Sequence, residues 1–346
     1  MPSNTRPANT VPSATEPPVS VELDFRTVDL RGRRLTLAGL RAAVPRARAG
    51  TMADAEQNVL GIIDAVRTRG FEALSELART FDGVEQVHPR VPAEALTEAL
   101  AGLDPAVRAA LEESIRRARR FADAQRPADT DVELGEGAVV SQNWVPVARV
   151  GLYVPGGLAV YPSSVIMNVV PALAAGVESI ALASPPQKDF GGLPHPTILA
   201  AACLLGIDEV YAIGGAQAIA AFAYGIPAAG DNAGLDPVDV VTGPGNVFVA
   251  TAKRLVKGVV GIDSEAGTTE IAILADATAQ PGLVAADLIS QAEHDPLAGS
   301  VLITDSTRLA DEVGADVVQV IGRTATLYRH NPDITGKAGD PPPWRR

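Results

Sequence analysis

The chain of 346 residues has one cysteine, Cys203, four histidines and an aromatic content of only 4%. A single cysteine excludes an intrachain disulfide framework and every multi-cysteine zinc or iron–sulfur site. Four histidines (His88, His195, His294 and His330) nearly exclude a His-rich metal cage. Basic residues are in deficit, with 29 Lys and Arg against 41 Asp and Glu, a net charge of −12. General nucleic-acid binding needs a basic face, and that balance argues against it. An anionic ligand has to be held locally, by backbone N–H groups or a helix N-terminus. No apolar signal segment follows Met1. The long apolar stretch Tyr211–Gly230 is mostly Ala and Gly and is interrupted by Gly214, Gly215, Gly225 and Pro227. Membrane spans are richer in Leu, Ile and Phe, so this stretch reads as a buried strand and helix. These absences predict a cytoplasmic protein without membrane contact.

What is present is ordinary globular composition, 47% hydrophobic and 20% charged, with the hydrophobicity carried by Ala, Gly, Val and Leu. Small side chains suit closely packed helix-on-sheet layers. The length suggests two domains or one large one. Residues 1–20, rich in Pro, Ser and Thr, read as a disordered arm. A short strand or two is expected within 21–37. From Ala53 the pattern is helical, with Val59, Ile62, Ile63 and Val66 on one face and a second run over 71–80. Asp104-Pro105 has the form of an N-cap followed by Pro at the first helical position. Residues 21–145 are therefore expected to form a helical region.

From Val147 onward, short apolar runs alternate with helical segments, the signature of βαβ units and a parallel sheet. Strands are expected at Val150–Val154, Ser179–Ala183, Glu209–Ile213, Val238–Val241, Ile271–Ala275 and Val301–Thr304. The fold class expected is α/β: Rossmann-like parallel sheets with helices on both faces, preceded by a helical N-terminal layer. A first α/β domain is placed at 146–262 and a partial second one at 263–321. Residues 322–346 show no apolar periodicity and contain Pro341–Pro343, and are expected to be an irregular tail.

Three strand-to-turn segments invite a ligand. Gly151-Leu-Tyr153-Val-Pro-Gly-Gly157 empties a strand into a glycine turn before a helix. Gly214-Gly-Ala-Gln217 repeats that layout without being a G-x-G-x-x-G fingerprint. Thr242-Gly-Pro-Gly-Asn246 fixes a tight turn that aims Asn246 at the sheet edge. Each alone is equally an ordinary turn, and Gln217 could simply cap backbone. Together they would converge on the crevice at the carboxyl ends of parallel strands, where ligands bind in such sheets. Gln291 and His294, spaced i, i+3, share a helix face near Pro296. They read as two metal ligands or as dipole-stabilising residues at a helix end. Asp263–Glu270 is a polar loop ahead of a strand. Cys203, in an apolar helix without nearby basic residues, is a packing residue. His195, between two prolines, reads as loop.

Taken in order, Gly151–Gly157, Gly214–Ile219, Gly243–Asn246 and Ser290–His294 strongly resemble histidinol dehydrogenase, over roughly residues 23–320. The resemblance implies oxidation of L-histidinol through histidinaldehyde to L-histidine in histidine biosynthesis, with two NAD reduced. It further implies one zinc ion (Zn2+) and a homodimer. It assigns Tyr153, Gln217 and Asn246 to NAD, and Gln291 and His294 to both zinc and substrate. Thr269 stands where the family often has a substrate-binding Ser. The family's catalytic Glu-His pair occurs in a Pro-Glu-His context that this chain lacks, and its other zinc ligands, an Asp and a late His, are not matched. No catalytic acid–base residue is therefore assigned. The expectation is a C-terminally truncated or frameshifted member, with weak zinc binding, little dehydrogenase activity and exposed apolar surface. The alternatives are an inactive fragment that at most binds NAD, and an unrelated metal-free α/β binding protein.

Overall fold

A computed structural model describes residues 25–43, 50–86, 88–156, 160–265, 270–292 and 298–330, of which 50–54 and 321–330 are described by their backbone. The expected arm at 1–20 lies outside the described residues. In chain order the helices and strands begin with α1 (Leu37–Ala43), α2 (Gly50–Arg69) and α3 (Phe71–Leu77), followed by a π-helical turn at Ala78–Asp82. Next come α4 (Ala93–Ala101), α5 (Pro105–Gln125), β1 (Thr130–Gly135) and β2 (Ala138–Gln142). The central run is β3 (Arg149–Tyr153), α6 (Pro162–Ala175), β4 (Ser179–Ser184), α7 (Pro196–Leu204) and β5 (Val210–Ala212). It continues as α8 (Gly215–Tyr224), β6 (Val240–Thr242), α9 (Val247–Val256) and β7 (Gly261–Ile262). The last group is β8 (Glu270–Leu274), α10 (Pro281–Ala292), β9 (Gly299–Ile303) and α11 (Thr307–His330).

The chain divides into two compact units, residues 48–267 and residues 1–47 with 268–346. In the larger unit the five parallel strands run in the order β5-β4-β3-β6-β7. The order reverses at β3: β4 and β5 build outward on one side, β6 and β7 on the other. The crevice at the carboxyl ends of β3 and β6 is thus the switch point of the sheet. Side chains alternate along β3. Val150, Leu152 and Val154 face a core made with α4, α5, α6 and α7. Tyr153 faces a second core made with α2, α3, α8 and α9. Phe222 of α8 lies so close to β3 that a side chain on Gly151 would sit 2.6 Å from its ring. Leu152, Leu182, Ile166, Ile198, Ile219 and Phe222 are essentially fully buried. Burial on that scale stabilises by about 2 kcal/mol per side chain.

The N-terminal helices are therefore not a domain of their own. They divide between the two faces of the sheet, α2 and α3 on one and α4 and α5 on the other. The larger unit runs over 48–267, whereas the first α/β domain was expected at 146–262. An amphipathic helix has to cover an apolar sheet face, and the sheet offers two. The α5 cap forms as the sequence predicts, with Asp104 accepting from the N–H groups of Ala106 and Val107. His195 is not loop but the N-cap of α7, its Nδ1 accepting from Thr197 N, because Pro196 takes the first helical position. Cys203 packs, half-buried, against the α4–α7 core. The antiparallel β1–β2 hairpin was not expected; every one of its residues is exposed, so burial imposes no pattern on its sequence.

In the smaller unit β8 and β9 pair in parallel, with α10 as the crossover, and Val284, Ala285, Leu309, Val313 and Val317 form the core. The strands expected within 21–37 are absent among the described residues 25–36. There a turn forms instead, with the Asp29 carboxylate accepting from Arg31 N and Gly32 at φ +68°. The irregular tail expected from 322 is corrected as far as His330, because α11 continues to that residue. A lone Gly inside a helix costs only about 1 kcal/mol, so Gly322 does not stop it. Among the described residues no helix is long and apolar enough to cross a membrane.

Candidate functional site

The three candidate nucleotide residues meet at the carboxyl edge of the five-stranded sheet. Tyr153 is the last residue of β3 and is buried. Its hydroxyl oxygen accepts a 3.0 Å hydrogen bond from Gly215 N, the first N–H of α8. Burial pushes the phenol up to about 12, the Gly215 hydrogen bond pulls it back slightly, and the charge of Asp82 raises it. The phenol therefore stays protonated, with its own O–H available as a donor.

Gln217 lies in the first turn of the same helix and is 4% exposed. Its Oε1 folds back over Gly215, where a Cβ would stand 2.9 Å away; Gly215 also takes φ +57°, which an L side chain resists. Gln217 and Tyr153 are thus brought together around one glycine.

Asn246 caps α9 across the switch point. Its Oδ1 accepts from Phe248 N at 3.1 Å and Val249 N at 3.2 Å. An oxygen has to face those two N–H groups, so the Nδ2 amide is the part left for a ligand. Asn246 thereby presents a donor, which selects an acceptor such as a phosphate, ribose or carboxamide oxygen. The turn before it approaches β3 directly: a Cβ on Gly243, at φ +122°, would run into the Tyr153 carbonyl oxygen. Glycine is required there both by the angle and by the space.

The same edge holds unsatisfied polar atoms. Among the described residues, Ser184 Oγ at the end of β4 and Asp82 Oδ2 are buried without a hydrogen-bond partner. Ser184 is 1% exposed, and its Oγ lies 3.2 Å from where a Gly156 Cβ would stand. Burial raises the Asp82 carboxyl to about 6. Neither residue was singled out by sequence. Asp82 has no motif around it, and Ser184 reads as the end of an apolar strand. A shallow cleft of about 530 Å³ lies elsewhere, lined by residues of α4, α5 and α7, and is mostly apolar.

The remaining candidates belong to the other unit or fall outside the described residues. Gln291 is in the last turn of α10. His294, Thr269 and Gly157 lie outside the described residues. Among the described residues no group of three or more His, Cys, Asp or Glu is placed to hold a metal ion.

Fold and edge together define a parallel α/β protein in which three glycine-containing turns gather at the switch point of one sheet. Residues 46–334 match the family model for histidinol dehydrogenase. The chain is 61% identical over 314 residues to the histidinol dehydrogenase of Thermobifida fusca, covering 91% of this chain and 68% of that protein. It is 59% identical over 316 residues to the Nocardia farcinica enzyme, covering 91% of this chain and 70% of that protein. A crystal structure of histidinol dehydrogenase from Elizabethkingia anophelis superposes with a TM-score of 0.72 at 29% identity, over 83% of this chain and 64% of that one. The chain belongs to the histidinol dehydrogenase family, oxidoreductases of histidine biosynthesis. The match continues to 334, past the point near Val320 where the sequence resemblance was expected to end.

Proposed function

We propose that the carboxyl edge of the five-stranded sheet binds NAD, and that the chain serves the family reaction, oxidation of L-histidinol to L-histidine by way of histidinaldehyde. One observation carries this reading: Tyr153, Gln217 and Asn246, far apart in sequence, converge on the switch point of a single sheet. Asn246 Nδ2 and the Tyr153 O–H are donors matched to ligand acceptors. The N-terminus of α9 adds its dipole for a diphosphate. Glycines at 156, 215 and 243 let Ser184, Gln217 and the Tyr153 backbone close on this edge.

The overall reaction transfers two hydrides to two NAD+, with one water supplying the carboxyl oxygen and protons released to solvent. Alcohol and aldehyde oxidation both need a base to take a proton. The 346 residues contain no Pro-Glu-His sequence, the context in which the resemblance places that base. This favours a second reading for this polypeptide, NAD binding without turnover. Gln291 and His294 are the proposed zinc ligands and also the proposed substrate contacts, with Thr269 as a third substrate contact. Gln291, the described member of the ligand pair, is a neutral donor, and two ligands fall short of a zinc site of normal affinity. By family the protein is proposed to be a cytoplasmic homodimer.

The test is calorimetric titration of the purified chain with NAD, followed by NADH formation on adding L-histidinol and zinc. Saturable binding that Asn246→Ala weakens supports the site. Absence of binding by folded wild-type chain overturns it. Binding with NADH formation selects the first reading, and binding without it selects the second.

A further inference from the structure

We propose that Lys253 and Asp263 are positioning residues of the nucleotide edge, clamping the Gly243 turn by both of its peptide groups and so holding Asn246 in place. Lys253 is 1% exposed, on α9. A buried ammonium is unfavourable unless paired, and an apolar side chain of similar size is frequently as stable or more so at such a position. Core packing alone therefore does not account for a lysine here.

What the lysine touches does account for it. Its Nζ donates to the Gly243 carbonyl at 2.9 Å and pairs with Asp263 Oδ1. The other Asp263 oxygen, Oδ2, accepts from Gly243 N at 3.0 Å. One ion pair thus holds the N–H and the C=O of the same glycine. That glycine sits at φ +122° against the Tyr153 backbone. Asp263 is delivered to this point by β7, which pairs with β6, and its own N–H donates to Val241 O at 3.3 Å. The turn Gly243–Asn246 contains two glycines and would otherwise be soft. The clamp fixes where the α9 cap begins and hence where the Asn246 amide points.

The inference rests on the NAD reading for its functional consequence. Its test is a double-mutant cycle on the full chain, measuring the Kd for NAD of Lys253→Met, Asn246→Ala and the double variant. Lys253→Met is expected to weaken NAD about tenfold alone, and less than about twofold when Asn246 is already Ala, because it acts through Asn246. Val256→Ala, a packing change on the same helix, is the control and should destabilise without moving Kd. Asp263→Asn, at a residue 35% exposed in its side chain, is the second variant should Lys253→Met not fold. It is expected to weaken NAD in the same non-additive way. In the absence of nucleotide, amide exchange at Gly243, Phe248 and Val249 is expected to be slow in the wild type and faster in both clamp variants. A folded clamp variant with wild-type Kd, full additivity with Asn246→Ala, or unchanged exchange at these amides overturns the proposal. Wild-type chain that binds no NAD removes the NAD reading instead, and amide exchange then decides the clamp by itself.

Discussion

The two ends of the five-stranded sheet are built differently. At the amino ends of the strands Arg90, Arg149, Glu209 and Asp239 answer one another's charges or hydrogen-bonding groups. Glu209, ahead of β5, accepts from Arg149 Nη1 and Tyr211 Oη, each at 2.9 Å, and Arg90 lies 3.5 Å away. Arg149 N donates to the Asp239 carboxylate at 2.8 Å. Burial alone would raise the Glu209 carboxyl, but the hydrogen bonds from Arg149 and Tyr211 overcome it and hold the group below its usual range. At the carboxyl ends there are glycines in left-handed conformations, the orphaned Ser184 Oγ and a carboxyl at Asp82 that burial pushes upward. One end is assembled for stability. The other is the proposed NAD edge, where polar atoms stay unpaired.

Substitutions at the two ends should separate accordingly. The largest effect belongs to Gly243→Ala. A Cβ there meets the Tyr153 backbone at a positive φ, so a loss of about 3 kcal/mol is expected. Denaturant unfolding should show that loss, and the folded fraction should no longer bind NAD. A variant that binds normally would remove the close approach as a cause of the site.

Glu209→Gln comes next. It leaves the mostly buried Arg149 without its counter-charge, with an expected loss of about 2 kcal/mol at neutral pH. Because the folded Glu209 carboxyl is depressed, its contribution is present above the unfolded value and lost as pH falls through the folded one. Wild type and variant should therefore converge in acid. NAD affinity should not change; a fall in affinity would join the two ends that the geometry keeps apart.

Asn246→Ala should lose about 1 kcal/mol as a cap and weaken NAD by about tenfold as a donor. An intact affinity measured by titration would reduce Asn246 to a cap alone. The smallest effect is at Asp82. Its folded carboxyl is raised to about 6, so wild-type stability falls as pH climbs from the unfolded value of 3.8 through 6. Asp82→Asn should flatten that slope and gain about 1 kcal/mol at pH 7.5, a figure already reduced for partial solvent screening. Thermal unfolding curves of wild type and variant that coincide at pH 7.5 would show that the carboxyl is not strained.

Much of the larger unit was legible because burial writes itself into sequence. Short apolar runs named β3, β4, β5 and β6 to within a residue or two, and Asp104-Pro105 named the start of α5. The β1–β2 hairpin left no such trace, since all its side chains are exposed. The irregular tail was expected from 322, where apolar periodicity is lacking, although α11 runs on to His330, because a helix does not need an apolar stripe at its last turns. Among the candidate site residues, Tyr153, Gln217 and Asn246 stood out through the glycines beside them. Lys253 and Asp263 did not, because a lysine on a helix and an aspartate after a short strand look like solvated surface until their partners are known.

The chemistry of each turn was already set by its own residues: glycine where φ must be positive, asparagine where a helix needs a cap, proline where one begins. These are interactions over a few residues, and they hold wherever the segment lies. Which turns share a crevice is a different matter. It depends on strand order, and strand order is settled by how two apolar sheet faces are covered at once by α2, α3, α8 and α9 on one side and α4 to α7 on the other. Only that packing sets β6 beside β3, brings Gly243 against Tyr153, and delivers Asp263, just after β7, to the buried Lys253.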